Sequence, residues 1–194
     1  MQLKGTRTAS NLMQAYLGEA QAMNRYTLYA SAAKKEGYAQ IAEIFTQTAD
    51  QERAHAKRFL RFLAEDHNGE EVALEGASYP VAFGDTLFNL RSAAQGEGEE
   101  GLTLYPGFAG VAEAEGFKEI AYLFQQVAVI EESHGARFAA LAGNLEEGRV
   151  FSKEQPVEWV CRVCGYIYTG ENAPGLCPVC LHPQAHFEVQ ARNY

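Results

Sequence analysis

The stretch "ADQERAH", residues 49–55, places Glu52 three positions before His55, and "VIEESH", residues 129–134, places Glu131 three positions before His134. Residues three apart share one face of an α-helix, so each pair offers a carboxylate and an imidazole side by side. The flanking apolar residues say which face. Ile41, Phe45, Thr48, Glu52, His55 and Phe59 advance by alternating steps of four and three, and Ile120, Phe124, Val127, Glu131, His134 and Phe138 advance identically. Such steps trace the buried stripe of a bundle helix. Both pairs therefore point inward, where metal ligation is the chemistry that suits them.

Other carboxylates join them. Glu19 shares a stripe with Leu12, Tyr16, Met23 and Tyr26, while Glu97 and Glu100 follow Leu90 and Ala93. A single Glu-x-x-His on a helix is more often a surface ion pair or a hydrogen-bonded core histidine, but two copies in register with inward carboxylates reverse that balance. An unpaired buried carboxylate costs several kcal/mol, and no Lys or Arg lies on these stripes. A multivalent cation is the expected counter-charge. Oxygen and imidazole donors without thiolate suit divalent iron or manganese. Tyr26 and Tyr105 are either plain core aromatics or phenols that donate to ligand carboxylates, whereas Glu99 and Glu132 fall on solvated faces.

The second chemical unit is "CRVCGYIYTGENAPGLCPVC", which supplies Cys161, Cys164, Cys177 and Cys180 as two C-x-x-C pairs. All four cysteines of the chain lie here, and the spacing suits one metal better than a disulfide framework. So short a segment draws much of its folding energy from the metal. Zinc is the commoner occupant of an isolated pair of such motifs. A one-electron iron centre has a role beside a redox site that zinc lacks, so iron is expected and zinc remains possible. His182 and His186 are expected at the surface.

The elements that carry these residues follow from periodicity. Helical spacing runs from about Thr8 to Leu63 and from about Asp85 to Leu141, broken at Gly37 and Gly116 as at turns between antiparallel helices. "EDHNGEEVALEGASYPVAF" between them has no helical stripe and reads as a long crossover. The two hairpins repeat each other: "EGYAQIAEIF" at 36–45 returns 79 positions later as "EGFKEIAYLF" at 115–124, which carries Glu52 onto Glu131 and His55 onto His134. The expectation is an all-α, ferritin-like four-helix bundle with one long crossover in residues 1–148, and a small metal-binding domain with its linker in 149–194. Its ligand pattern is that of ferritin-like di-iron proteins: one Glu from each of two helices and Glu-x-x-His from each of the others. The match of Glu19 to Glu97 is offset by 78 and that of Tyr26 to Tyr105 by 79, so one residue is inserted between Glu97 and Tyr105. Together with Gly96, Gly98, Gly101 and Pro106, this predicts a π-type turn that aims Glu100 at the metal shared with His55.

Composition excludes other classes. At 194 residues the chain can bury one medium core plus an appendage, and a net charge of −9 without a basic cluster argues against nucleic acid or an anionic membrane. No signal-peptide pattern or spanning run is present, so a cytoplasmic protein is expected.

Over essentially its whole length the sequence resembles the rubrerythrin family. The resemblance rests on "NLMQAYLGEAQAMNRYT", "EGYAQIAEIFTQTADQERAH", "YPGFA", "EGFKEIAYLFQQVAVIEESH" and the rubredoxin-like "CRVCGY" and "LCPVCLHPQAHFE". It implies a non-haem di-iron peroxidase that reduces hydrogen peroxide to water in oxidative stress defence, with electrons delivered through an Fe(Cys)4 centre. By resemblance, Glu52 and Glu131 bridge two irons, Glu97 and His134 complete one, and Glu19 completes the other, which exchanges Glu100 for His55 on reduction. The segment "GEGEEG" departs from the family's more histidine-rich pattern. The resemblance further implies a head-to-tail homodimer and an upstream donor, either rubredoxin or an NAD(P)H-dependent reductase. The alternative is a ferritin-like protein that oxidises Fe(II) for storage or detoxification and carries a structural zinc-ribbon tail. Glu100 and the tail metal discriminate between the two.

Overall fold

A computed structural model describes residues 2–74 and 76–193. Helices α1 (Arg7–Lys35) and α2 (Ala39–His67) form the first hairpin. The second comprises α3 (Thr86–Glu99), a π-helical turn (Glu100–Leu104), α4 (Tyr105–Ala114) and α5 (Lys118–Glu146). The third bundle helix is thus interrupted, and the crossover between the hairpins has no helix among its described residues, 68–74 and 76–85. No described helix is long and apolar enough to cross a membrane.

The repeat is written into the turns. Gly37 and Gly116 take φ of +87° and +86°, values that a side chain disfavours. The N–H groups of Tyr38 and Phe117 then reach back to Ala33 and Ala112, closing the same left-handed cap on both hairpins. Each turn also caps the other hairpin. Glu36 accepts from the Thr86 N–H at the start of α3, and Glu115 accepts from the N–H groups of Arg7 and Thr8 and the Thr8 hydroxyl at the start of α1. An anion at a helix N-terminus satisfies free donors and meets the positive end of the dipole.

The core divides into two aromatic clusters. Phe45 and Phe138 stack at 5.0 Å with Tyr26, Tyr29 and Leu90, while Phe59 and Phe124 lie 5.3 Å apart with Leu12 and Tyr105. Glu52 and Glu131 lie between these clusters along α2 and α5. Apolar packing on both sides therefore fixes the two helices whose stripes carry the ligands.

The predicted π-type turn is present: the Tyr105 N–H bonds to Glu100 O, five residues back. Pro106 follows in the first turn of α4, where its missing N–H is harmless. Gly101 is a packing requirement. A Cβ there would lie 2.8 Å from Ala128 O and 2.9 Å from Glu132 N on α5.

The tail is a three-stranded antiparallel sheet in the order β2 (Ile167–Asn172), β1 (Ser152–Cys161), β3 (Phe187–Val189). It has its own small core of Trp159, Cys161, Ala173, Cys177 and Phe187, and the Trp159 indole donates to Gly170 O. Phe151 stacks on Tyr38 at the α1–α2 turn, with ring centroids 6.1 Å apart. His182 and His186, expected at the surface, are half-buried, with their rings packed edge to face 5.1 Å apart.

Two glycines give opposite expectations for stability. Gly101→Ala forces two backbones apart and should destabilise the protein by about 1–3 kcal/mol. Gly98→Ala meets no atom within 4 Å and should be neutral or stabilising by up to about 1 kcal/mol. Urea unfolding of both variants checks this, and equal midpoints would contradict it.

Candidate metal centres

Four helix segments converge on one buried cluster. Glu19 comes from α1, Glu52 and His55 from α2, Glu97 from the end of α3, and Glu131 and His134 from α5. Glu19, Glu52, Glu97 and Glu131 are at most 1% exposed. Their ligand atoms fall into two groups, each within 4.8 Å: Glu19, Glu52, His55 and Glu131, and Glu52, Glu97, Glu131 and His134. Glu52 and Glu131 belong to both. Two adjacent metal positions sharing two carboxylates is what that overlap describes.

The spacing supports ligation rather than simple ion pairing. His134 Nδ1 is 2.8 Å from Glu131 Oε2, 3.1 Å from Glu52 Oε1 and 3.6 Å from Glu97 Oε2. His55 Nδ1 is 3.0 Å from both Glu52 Oε2 and Glu131 Oε1 and 3.9 Å from Glu19 Oε1. Ligands held about 2.0–2.2 Å from one ion at right angles sit about 3 Å apart. Moreover, Glu52 Oε1, Glu97 Oε2, both oxygens of Glu131 and His134 Nδ1 are buried without a hydrogen-bond partner among the described residues. Polar atoms so close together yet unaligned with one another are aimed at common points, and divalent cations there satisfy them.

Two phenols fix the outer carboxylates. The Tyr26 hydroxyl donates to Glu97 Oε1, and the Tyr105 hydroxyl donates to Glu19 Oε1. Each crosses from one hairpin to the ligand of the other, as the repeat requires.

Electrostatics follow from crowding in a dry core. Burial, then neighbouring carboxylates, pushes Glu19 and Glu97 well above the ordinary carboxylate range. Glu52 is also pushed up by burial, but the close approach and charge of His134 and His55 bring it down to about 2. Burial alone would lower the two histidines, yet the close approach of Glu131 and Glu52 raises His55 to about 9 and His134 to about 11.

Of the two residues expected to exchange at one metal, His55 is drawn into the cluster by Glu52 and Glu131, and Glu100 lines a cavity beside the two ligand groups. Burial and the Glu131 and Glu52 charges raise Glu100 to about 8, against Arg25 and His55. Basic residues lie beside the stripes rather than on them. Arg25 flanks the site from α1, and Arg137 donates to Thr48 Oγ1 at 2.7 Å one turn before Glu52. Both occupy stripe-edge positions, which a strict count of steps passes over. Gly18, which no sequence signal marks, is buried against Glu100, a role visible only once α1 and the π turn are juxtaposed.

In the tail, the four cysteine sulfurs lie within 4.8 Å of one another, with Cys161–Cys180 and Cys164–Cys177 at 3.6 Å. Burial raises the Cys177 thiol, but N–H groups of Cys180 and Val179 directed at it bring it down to about 6. The knuckle thus favours the thiolate at Cys177, whereas burial and the neighbouring thiols push Cys180 up to about 12, so its proton leaves as a metal binds.

A four-helix bundle with paired carboxylate–histidine groups and a tetracysteine appendage defines a di-iron carboxylate protein with a rubredoxin-like domain. Residues 10–142 match the family described as rubrerythrin, and residues 159–188 match the rubredoxin-like domain of rubrerythrin. The chain belongs to the rubrerythrin family. It is 55% identical over 192 residues to rubrerythrin-1 of Clostridium acetobutylicum, covering 99% of this chain and 98% of that one. It is 47% identical over 192 residues to rubrerythrin of Nitratidesulfovibrio vulgaris, covering 99% and 98%. A mixed-valence nigerythrin structure matches with a TM-score of 0.63 at 29% identity over 97% of this chain and 92% of that one. A bacterioferritin from Desulfovibrio desulfuricans, 19% identical over 74% of this chain and 82% of that one, matches in fold with a TM-score of 0.64. The clustered core residues and the four cysteines fit the di-iron and Fe(Cys)4 sites of such an iron-binding oxidoreductase.

The electrostatics make a signed prediction for protein stripped of metal by chelation. His55 and His134 have folded pKa values above the ordinary histidine value, so their stabilisation is complete below about pH 6.5 and is lost as pH rises through about 9 and about 11. The raised Glu19, Glu97 and Glu100 act in the same direction, while the depressed Glu52 loses its contribution only as pH falls towards about 2. Stripped protein should therefore lose Tm between about pH 6 and about pH 9, and Fe(II) binding should release protons into a weak buffer. A flat or rising Tm across that window would contradict the assignment.

Proposed function

We propose that this chain is a non-haem di-iron peroxidase that reduces hydrogen peroxide to water. The observation that carries the reading is the pair of ligand groups sharing Glu52 and Glu131, with a further carboxylate, Glu100, beside the half that contains His55. Two equivalent half-sites would serve storage. An added carboxylate on one side gives one metal a choice of partners.

Each residue then has a role. Glu52 and Glu131 would be shared by both metals, Glu97 and His134 would hold one, and Glu19 with either His55 or Glu100 would hold the other. Tyr26 and Tyr105 hold Glu97 and Glu19 in place through their hydroxyls, so these carboxylates keep their orientation while charge changes around them. Bound here, two ferrous ions would supply the two electrons that, with two protons, take hydrogen peroxide to two waters. The aromatic clusters exclude bulk water above and below the ligands.

Cys161, Cys164, Cys177 and Cys180 would hold a single iron, whose tetrathiolate shell suits the one-electron transfer that returns the site to its reduced state. The upstream donor is rubredoxin or an NAD(P)H-dependent reductase, and the working unit is a homodimer in the cytoplasm. A reducing compartment is supported by four cysteines poised for a metal rather than for disulfides.

Two experiments test this. Anaerobically reduced protein should be oxidised faster by hydrogen peroxide than by dioxygen in stopped flow; equal or faster oxidation by dioxygen favours iron oxidation and storage instead. Because Cys161 packs within the tail's own core, Cys161→Ser should leave the bundle and its two metals assembled while stopping donor-driven turnover. Full turnover by that variant with the same donor would remove the electron inlet from the tail.

A further inference from the structure

A cavity of about 410 Å³ lies between α1, the crossover at Ser78–Pro80 and the π turn, and its wall includes Gly18, Arg25, Glu100 and Tyr105. It abuts the metal ligands. Gly18 precedes Glu19, Tyr105 donates to Glu19, and Glu100 adjoins the shared carboxylates. None of the other cavities described is lined by a residue of the ligand set.

Three features of the wall suit a small guest. Arg25 lines the wall without a salt-bridge partner among the described residues, and its Nε and Nη1 are buried without a hydrogen-bond partner, an expensive condition for a guanidinium. Glu100 supplies carboxyl oxygens that make no hydrogen bond to the described residues and that face Gly18. Gly18 itself is the lone glycine of α1 and is buried, yet a Cβ there would meet only Glu100 Oε1, at 3.8 Å. Packing does not demand this glycine, unlike Gly101, and a helix interior disfavours it relative to alanine. What its hydrogen leaves is open space beside the carboxylate.

We propose that this cavity is an antechamber for a small hydroperoxide, held between the Arg25 guanidinium and the Glu100 carboxyl, with Gly18 keeping the floor open. The inference rests on the peroxidase reading and deepens it. A hydroperoxide carries both an O–H donor and oxygen lone pairs, so it can accept from Arg25 while donating to Glu100. Dioxygen has no proton to donate and accepts weakly. The wall therefore discriminates between the two oxidants before either meets metal.

The test uses the full-length, iron-loaded protein, with hydrogen peroxide and dioxygen as probes. Arg25→Met should slow oxidation of the reduced protein by hydrogen peroxide about tenfold or more, as expected for a lost hydrogen bond to a charged donor. Its dioxygen rate should be almost unchanged, and Arg25→Lys should recover part of the loss. Gly18→Leu should slow peroxide in the same way by filling the space. Chelated protein supplies a readout independent of turnover. Arg25→Met should keep or raise Tm by removing unpartnered buried donors, and Gly18→Ala should raise it by about 2–4 °C. Loss of Tm in either variant would make these residues structural and overturn the proposal, as would equal slowing of both oxidants or of neither by Arg25→Met. A wild-type protein that shows no preference for peroxide would instead defeat the peroxidase reading itself.

Discussion

Charge balance in a dry core is the constraint on which this molecule depends. Five carboxylates and two imidazoles cannot all be taken out of water by a helical bundle unless cations or protons join them. The raised Glu19, Glu97 and Glu100 and the raised histidines are the protonic version of that balance, and metal ligation is the other. Everything nearby serves to keep the two versions interchangeable without unfolding. Phenylalanine pairs on either side hold α2 and α5 in place, and turn carboxylates Glu36 and Glu115 tie each hairpin to the start of the other.

Much of this was legible in the sequence because it obeys a period. The stripes through Glu52 and Glu131 follow helical spacing, and the internal repeat removes the doubt that a single Glu-x-x-His would leave. The cysteine pairs are equally plain, since their spacing encodes the knuckle directly. Residues that act across elements were harder. Arg25 sits one position off its stripe, and its unpartnered atoms matter only because the crossover folds over them. Gly18 carries no signal at all until the π turn brings Glu100 against it.

The glycines show why residue type alone misleads. Gly18, Gly98 and Gly101 all weaken the helical segments that contain them to a similar degree by intrinsic preference. Gly101 is required where two backbones nearly touch, Gly98 has free space around it, and Gly18 borders a polar cavity. A propensity argument treats them alike, whereas packing separates them. The predicted interruption of the third helix rested on counting the repeat, and the glycines lent support without proving it.

That interruption resolves a conflict between two symmetry demands. Tyr26 lies seven residues after Glu19, two helical turns, and its hydroxyl reaches Glu97 on the opposite hairpin. Tyr105 lies eight residues after Glu97 yet makes the equivalent bond to Glu19. In a regular helix the eighth residue would be rotated by about 100° from that position. The wide turn at Glu100–Leu104 absorbs the extra residue and restores the tyrosine to its face. Both phenols can therefore brace their carboxylates as the internal repeat requires, while the inserted residue adds something the first hairpin does not have. Ala22 stands in α1 where Glu100 stands in the π turn. The bulge is thus the means by which a nearly twofold site becomes one-sided without losing either of the hydrogen bonds that hold it.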